Sequence, residues 1–394
     1  MKRIKNALRM FSCGLMATVC VQCQAQQYSY NTKFKLSLRN FVDTIPIECK
    51  DHRIIIKAIC NGKTYRMMLD TGSGHGITYS NGSFPIGKRL GRITSHDANG
   101  KSNKTDVMEF APFTIGHLTI SSYPGSIINS QVTHENYDAV IGFDLFNKGL
   151  SAKIDTRRNI MILTDIPGYF DKEQGHTLKY KLERWVPYIP ISVCNGCTDD
   201  ALFDTGSMRI YVMSDASRKK FQNTPTFSSQ IEGISYGSRA IGSFGAERPS
   251  EVAFLHLTNL RWGGFTLSDY HTMTTQGHSR IGADILQYGK VVINPKRKLL
   301  VFQPYGGNNY VTVGNSQTNI AFVPNGGKPM VGLIWEGSPH YKNGFRQGDI
   351  IMNIDGRQIN SMQQFLSYPF ITGRTYTFTV KDKNGETKTV VSER

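Results

Sequence analysis

At 394 residues, 39% hydrophobic and 11% aromatic, the chain is too apolar for a disordered protein and too long for one typical core, so two or three packed domains are expected. Its formal charge of +16 describes a basic surface suited to anionic polymers, to acidic clients or simply to solubility. No basic helix, zinc module or aromatic RNA-binding signature accompanies that charge, which sets nucleic acid aside as a partner.

Residues 1–25 read as a secretory signal peptide. Lys2, Arg3, Lys5 and Arg9 precede an apolar run at 10–21 that is too short to cross a bilayer, and Cys23-Gln24-Ala25 offers a cut after Ala25. The mature chain then starts near Gln26 with a charge of +12. An exported protein of a bacterial periplasm or cell envelope is expected. Lipidation at Cys20 or Cys23, preceded by Val19 and Gln22, and full secretion are the lesser alternatives. No later stretch has the length of a transmembrane helix, so the mature protein is expected to be soluble.

After an N-terminal lead at 26–40, short β runs at 44–49, 53–60 and 64–69 are broken by Lys50-Asp51 and Asn61-Gly62, and the last delivers Asp70. A hairpin follows at 92–97 and 102–110, with a polar, exposed tip at Ala98-Asn99-Gly100-Lys101. Ala139-Val140-Ile141-Gly142, a helical turn at 143–146 and a hairpin at 151–163 close the unit. A second unit repeats this order. Residues 187–193 lead to Cys194-Asn195-Gly196 and then to Asp204, a helix is expected at 214–221, a glycine-rich hairpin fills 236–249, and Arg280-Ile281-Gly282 precedes a closing hairpin at 290–303.

The two units share Cys-Asn-Gly followed ten residues after the cysteine by Asp-Thr-Gly-Ser, at Asp70-Thr71-Gly72-Ser73 and Asp204-Thr205-Gly206-Ser207. If the units pack about a pseudo-twofold axis, the two carboxylates meet. Such a pair holds one proton between them, so one member can act as general base on water while the other polarises a carbonyl. Peptide hydrolysis then needs no metal, cofactor or covalent intermediate. Gly72 and Gly206 allow close backbone approach, and the hydroxyls of Ser73 and Ser207 are placed to donate to the carboxylates, which favours an acidic optimum.

His75 has no partner in the second unit and reads as a loop side chain. Asp144 and Asp284 read as helix caps. Of the seven cysteines, Cys49, Cys60, Cys194 and Cys197 follow the signal; Cys194 and Cys197 flank a hairpin turn at bridging distance, and buried free thiols are the plainer reading. The Cys-x-x-Cys lies on a strand turn rather than a helix start, which argues against redox work, and no second ligand pair completes a zinc site.

With these motifs in place, both units resemble the retropepsin-like fold of aspartic peptidases. Met68-Leu69-Asp70-Thr71-Gly72-Ser73 and Leu202-Phe203-Asp204-Thr205-Gly206-Ser207 match the family's active-site motif, and Val140-Ile141-Gly142 and Arg280-Ile281-Gly282 match its psi-shaped strand. The resemblance implies a mostly β fold in which two acid-protease β-barrel lobes form a pepsin-like pseudo-dimer. It implies that Thr71 and Thr205 lock the two loops, that Gly142 and Gly282 mark the psi loops, and that the hairpins at Gly100 and Gly245 are flaps. Neither tip aligns a tyrosine with the family's flap residue.

Residues 318–394 resemble a PDZ domain, a small α+β unit. Glu336-Gly337-Ser338-Pro339, Gly344-Phe345, Gly348-Asp349-Ile350-Ile351 and Asp355-Gly356 match its landmarks. Ile320, Ala321 and Phe322 would form the carboxylate loop, with alanine where the family has glycine, and peptide C-termini would add a strand there. A docking or spacer role is the alternative.

The expected domains are therefore a signal peptide (1–25), a lead (26–40), lobe 1 (41–166), a linker (167–174), lobe 2 (175–304), a linker (305–317) and a PDZ domain (318–394). The expected function is an exported aspartic endopeptidase acting on polypeptides, complete as a monomer because both half-sites lie in one chain. The alternatives are an envelope protein that binds peptides but cleaves little and a scaffold in which the PDZ domain carries the function.

Overall fold

The computed structural model describes residues 27–50, 53–129, 137–239, 241–242, 244–314, 319–371 and 373–393; the expected signal peptide, with Cys13, Cys20 and Cys23, lies outside the described residues. The fold is mostly β, and its two lobes repeat one connectivity. In the first, Lys63–Leu69 delivers Asp70 and pairs parallel with Ala139–Ile141, which pairs antiparallel with Gly76–Tyr79. Gly76–Tyr79 in turn pairs parallel with Pro124–Ile128. In the second, Cys197–Asp204 pairs parallel with Arg280–Gly282, which pairs antiparallel with Tyr211–Ser214, and that strand pairs parallel with Tyr270–Thr275.

The two Cys-Asn-Gly turns are not conformational copies. Asn61 and Gly62 both take positive φ, 49° and 74°, the type I′ geometry that suits a hairpin twist. In the second turn only Gly196 does, at 81°, and the register slips between Ser192 and Cys194. Cys194 and Cys197 face each other across this hairpin as free thiols, as Cys49 and Cys60 also are.

The closing hairpins join the lobes. Ser151–Asp155 pairs with Gly289–Asn294, placing Ala152 opposite Ile293 and Ile154 opposite Val291, so strands from both halves form one sheet. Apolar side chains from both lobes, among them Leu69, Ile154, Phe203 and Ile293, belong to one buried cluster. The lobes are thus fixed to each other beneath the two Asp-Thr-Gly-Ser loops.

Ile320–Asn325, Lys328–Ile334, Ile350–Ile354, Arg357–Gln358, Thr375–Lys381 and Thr387–Glu393 form a separate six-stranded sheet. Its own core includes Val331, Phe345, Ile354 and Phe378. This unit docks on the second lobe. Ser238 N–H donates to the Gly332 carbonyl at 3.1 Å, Ser235 Oγ to that of Ile334 at 2.7 Å, and Gln347 Nε2 to that of Tyr236 at 2.9 Å. Ala321, Leu333 and Trp335 pack with Val252, Phe254 and Met273.

Two expectations change here. Residues 305–317 are not merely a loop, because Tyr310–Thr312 adds a parallel strand beside Phe265–Ser268. The Ala98–Lys101 tip is exposed only in part: Ala98 and Gly100 are, while Asn99 is buried against the second lobe.

Candidate active site

Each aspartate stands where its strand leaves the sheet. Asp70 N–H donates to the Ile141 carbonyl at 2.9 Å, and Asp204 lies opposite Gly282 in a parallel pair. The glycines are required by space. A Cβ at Gly72 would strike the Asp204 side chain and one at Gly206 the Asp70 side chain, so each carboxylate rests on the glycine of the opposite motif. A Cβ at Gly142 or Gly282 would strike the backbone of the loop in its own lobe, at His75 or at Ser207 and Arg209.

The threonines bond reciprocally. Thr71 N–H donates to Thr205 Oγ1 at 3.0 Å, and Thr71 Oγ1 donates to the Phe203 carbonyl at 2.6 Å. Thr205 N–H donates to Thr71 Oγ1 at 3.0 Å, and Thr205 Oγ1 to the Leu69 carbonyl at 2.7 Å. Each hydroxyl both donates and accepts, so the four buried bonds hold the loops at a fixed separation.

The carboxyls of Asp70 and Asp204 interact directly, each set against the glycine of the other motif. Burial and then the charge of Asp204 push Asp70 well above the usual carboxylate range, while the amides of Gly72 and Gly206 pull the other way. The Gly72 amide donates to Asp70 Oδ1 at 2.9 Å and the Gly206 amide to Asp204 Oδ1 at 3.0 Å. One proton shared within such a pair supplies an acid and a base in one place.

The Ser73 hydroxyl does not act as expected. Ser73 Oγ donates to the His75 carbonyl at 2.6 Å, and at Ser207 it is the backbone N–H that donates to Asp204 Oδ1, at 3.1 Å. His75 lies in the loop that follows the first motif. It is buried, with Nε2 2.7 Å from Ser126 Oγ and its ring against Tyr28 and Tyr30, and burial lowers its pKa to about 4. Tyr28 and Tyr30 come from the N-terminal lead, whose part in the site carries no local motif. Asp144 begins a short helix but is buried and takes a 2.5 Å hydrogen bond from Tyr123 Oη; burial raises it to about 8. Tyr123 Oη also accepts from the Gly142 amide at 3.0 Å, tying Asp144 to the psi loop.

The two cleft faces differ. Beside Asp70 lies an apolar cluster of Ile55, Met68, Tyr79, Ile128, Tyr137 and Val140. The second lobe has a smaller apolar group of Val186, Tyr188 and Leu202, but at the position matching Val140 it carries Arg280, which is buried and interacts electrostatically with Asp204. The hairpins expected as flaps meet each other at their tips. The first pairs Ile86–His96 with Ser102–Phe110 and turns at 97–101; the second pairs Ile231–Gly237 with Ser250–Leu257. Gly100 turns the first tip with φ 78°, and Gly245 the second with φ 98°. Arg280 Nη1 donates to the Ala98 carbonyl at 2.5 Å, the Phe244 amide donates to Asp97 Oδ2 at 3.1 Å, and the Phe244 ring packs on the apolar cluster of the first lobe.

Of the residues expected to take a peptide C-terminus, Ile320 is in the core of the C-terminal unit, Ala321 is covered by the second lobe, and Phe322 packs on Phe365. One group of metal-ligating type is present on the second lobe: Glu232, His256 and His271, with Asp269 beside both histidines. The two imidazoles stack face to face, 4.2 Å between centroids and 8° apart. A metal ion lies in the plane of each imidazole that binds it, so these rings cannot converge on one ion as they stand.

No protein-family model matches the chain, and no curated protein does. Among solved structures it is similar to basic 7S globulin from soybean, with 11% identity, a TM-score of 0.40 and coverage of 66% of this chain and 94% of that one. It is also similar to aspartic proteinase from Irpex lacteus, with 12% identity, a TM-score of 0.41 and coverage of 67% and 97%.

Proposed function

We propose that the chain is an exported aspartic endopeptidase in which Asp70 and Asp204 hydrolyse peptide bonds through one activated water. The observation that carries this reading is the pair of facing carboxyls, each against the glycine of the other motif, held by reciprocal threonine bonds and flanked by the amides of Gly72 and Gly206. In this mechanism the ionised carboxylate takes a proton from water as it attacks the scissile carbonyl. The protonated partner hydrogen-bonds the carbonyl oxygen and neutralises the developing oxyanion. The proton then passes to the leaving nitrogen, and the dyad returns to its single-proton state.

The test is hydrolysis of a reduced, alkylated protein between pH 3 and pH 7 by the chain and by Asp70→Asn. Turnover by the wild type alone supports the endopeptidase; equal activity in both sinks it.

A second reading, a peptide-binding protein that cleaves little, is favoured by the closed hairpins, because the contacts of Ala98 with Arg280 and of Phe244 with Asp97 must open before a peptide enters. Residues 318–394 act in either reading as a PDZ-like unit that selects or regulates substrates. Their attachment to the base of the second hairpin gives a route for such regulation, since Ser235 and Ser238 belong to that hairpin.

A further inference from the structure

Where the hairpin tips meet, three buried N–H-bearing atoms have no acceptor among the described residues: Nε of Arg280, Nη2 of Arg239 and Nδ2 of Asn99. Their residues are 6%, 8% and 5% exposed. The three lie together. Arg280 bonds the carbonyl of Ala98, the neighbour of Asn99. Arg239 Nε donates to Glu247 at 3.1 Å, and the other Glu247 oxygen accepts from the Gln276 amide at 3.0 Å. Gln276 and Gly277 are the segment on which the 98–100 tip rests.

The nearby acids are already engaged: Asp204, whose charge bears most on Arg280, accepts from the amides of Gly206 and Ser207. Glu247 is held by Arg239, Thr275 and Gln276, and Asp97 by the amides of Asn99, Lys101 and Phe244. A buried donor left unpaired is costly, so the cluster suits an acceptor with several lone pairs. A carboxylate offers about four such sites and pairs with guanidinium more strongly than a neutral amide does. The cluster is also on the substrate side of the sheet. Ile281 points into the core, so Arg280, one residue earlier on the strand, faces the cleft.

We propose that Arg280, Arg239 and Asn99 form a carboxylate-binding subsite of the cleft, which directs cleavage to peptides bearing an Asp or Glu side chain, or a free C-terminus, near the scissile bond. This deepens the endopeptidase reading and rests on it. The subsite explains why a guanidinium occupies the place that Val140 fills in the first lobe.

The experiment uses the full chain with fluorogenic peptides in three matched forms: Glu at successive positions around the cut, Gln at the same positions, and a C-terminal acid paired with its amide. At one position the Glu peptide should be cleaved with a kcat/KM about 10- to 100-fold above its Gln partner, or the acid above its amide if the terminus is the ligand. That ratio should fall toward one in Arg280→Gln and decline by a smaller factor in Asn99→Ala, a variant confined to the hairpin tip. Equal cleavage of Glu and Gln, and of acid and amide, overturns the subsite while leaving the endopeptidase intact. If nothing is cleaved the endopeptidase reading fails, and anisotropy of the same labelled peptides then decides the subsite: tighter binding of the acidic forms upholds it, and equal binding, with the three donors meeting only water, overturns it.

Discussion

The two lobes share their connectivity and their Asp-Thr-Gly-Ser loops, and each sets apolar side chains beside its aspartate, yet only the second adds a buried guanidinium there. Beside Asp70 stand Met68, Tyr79, Tyr137 and Val140; beside Asp204 stand Tyr188 and Leu202 but also Arg280, with Arg239 and Glu247 near it. Repeated residues thus build the part that needs symmetry, two facing carboxyls on a locked pair of loops. Unrepeated residues give the cleft two distinguishable walls, and an extended peptide placed between unlike walls has a preferred direction. Phe244 sharpens the contrast, because it is a second-lobe residue that packs on the apolar wall of the first.

The strongest way to break the comparison is at the dyad. Asp70→Asn and Asp204→Asn should each reduce peptide hydrolysis by about a thousandfold or more, and the double variant little further, because the two carboxyls act as one unit. Initial rates on an unfolded protein near pH 4 measure this. Singles that differ from each other by orders of magnitude would mean the lobes are chemically as unequal as their walls.

Asp144 and His75 are first-lobe features with opposite pH signatures. The folded pKa of Asp144, about 8, exceeds its ordinary value of 3.8, so its contribution is fully present at low pH and is lost as pH rises from about 4 to 8. Asp144→Asn, which keeps an acceptor for Tyr123, should therefore gain thermal stability relative to wild type steadily across that window. For His75 the folded value, about 4, lies below 6.5, so stability is lost as pH falls between those values, and His75→Gln should remove that loss. Melting temperatures of the three proteins against pH test both signs, and parallel curves would refute them.

Next come the threonines, where the lobes should behave alike. Thr71→Val removes the bond to the Phe203 carbonyl and leaves the Thr205 amide without an acceptor, and Thr205→Val does the mirror image at Leu69 and Thr71. Each should cost about 2–4 kcal/mol in denaturant unfolding, with the double variant costing less than the sum. Strict additivity would show that the two hydroxyls are not one network.

Much of this was readable along the chain because it is local. Apolar strands bounded by Asn61-Gly62 and Asn195-Gly196, and two identical four-residue motifs at equal distances from those turns, need no long-range knowledge to recognise. What stayed hidden depends on distant partners. The tip at Ala98-Asn99-Gly100 reads as polar and exposed, but its acceptor is satisfied by Arg280, 182 residues away. Ser73 has a closer acceptor in the His75 carbonyl than the carboxylate it was expected to serve. The merging of the closing hairpins into one sheet requires backbone pairing between strands whose sequences say only that they are apolar. The covering of Ala321 by Val252, Phe254 and Met273 has no trace in the local pattern of either segment.

The C-terminal unit gives the comparison its last and smallest test, because its described contacts fall on the hairpin of the second lobe. Trp335 is its anchor. The indole packs over Gly233, where a Cβ would collide with the ring, and lies 6.1 Å from the ring of Phe254. Trp335→Ala removes a partly buried aromatic and should weaken docking by about 1–3 kcal/mol, below the cost of emptying a full core site. The unit keeps its own core of Val331, Phe345, Ile354 and Phe378, so it should remain folded while its attachment loosens. Limited proteolysis should then cut faster between residues 305 and 319, with the C-terminal fragment itself resistant. If the second hairpin is steadied by this contact, loosening it should also change peptide turnover, and the same Trp335→Ala protein assayed for cleavage would show whether the asymmetry of attachment reaches the cleft. Unchanged proteolysis would mean that the backbone bonds at Gly332 and Ile334 hold the unit without the tryptophan.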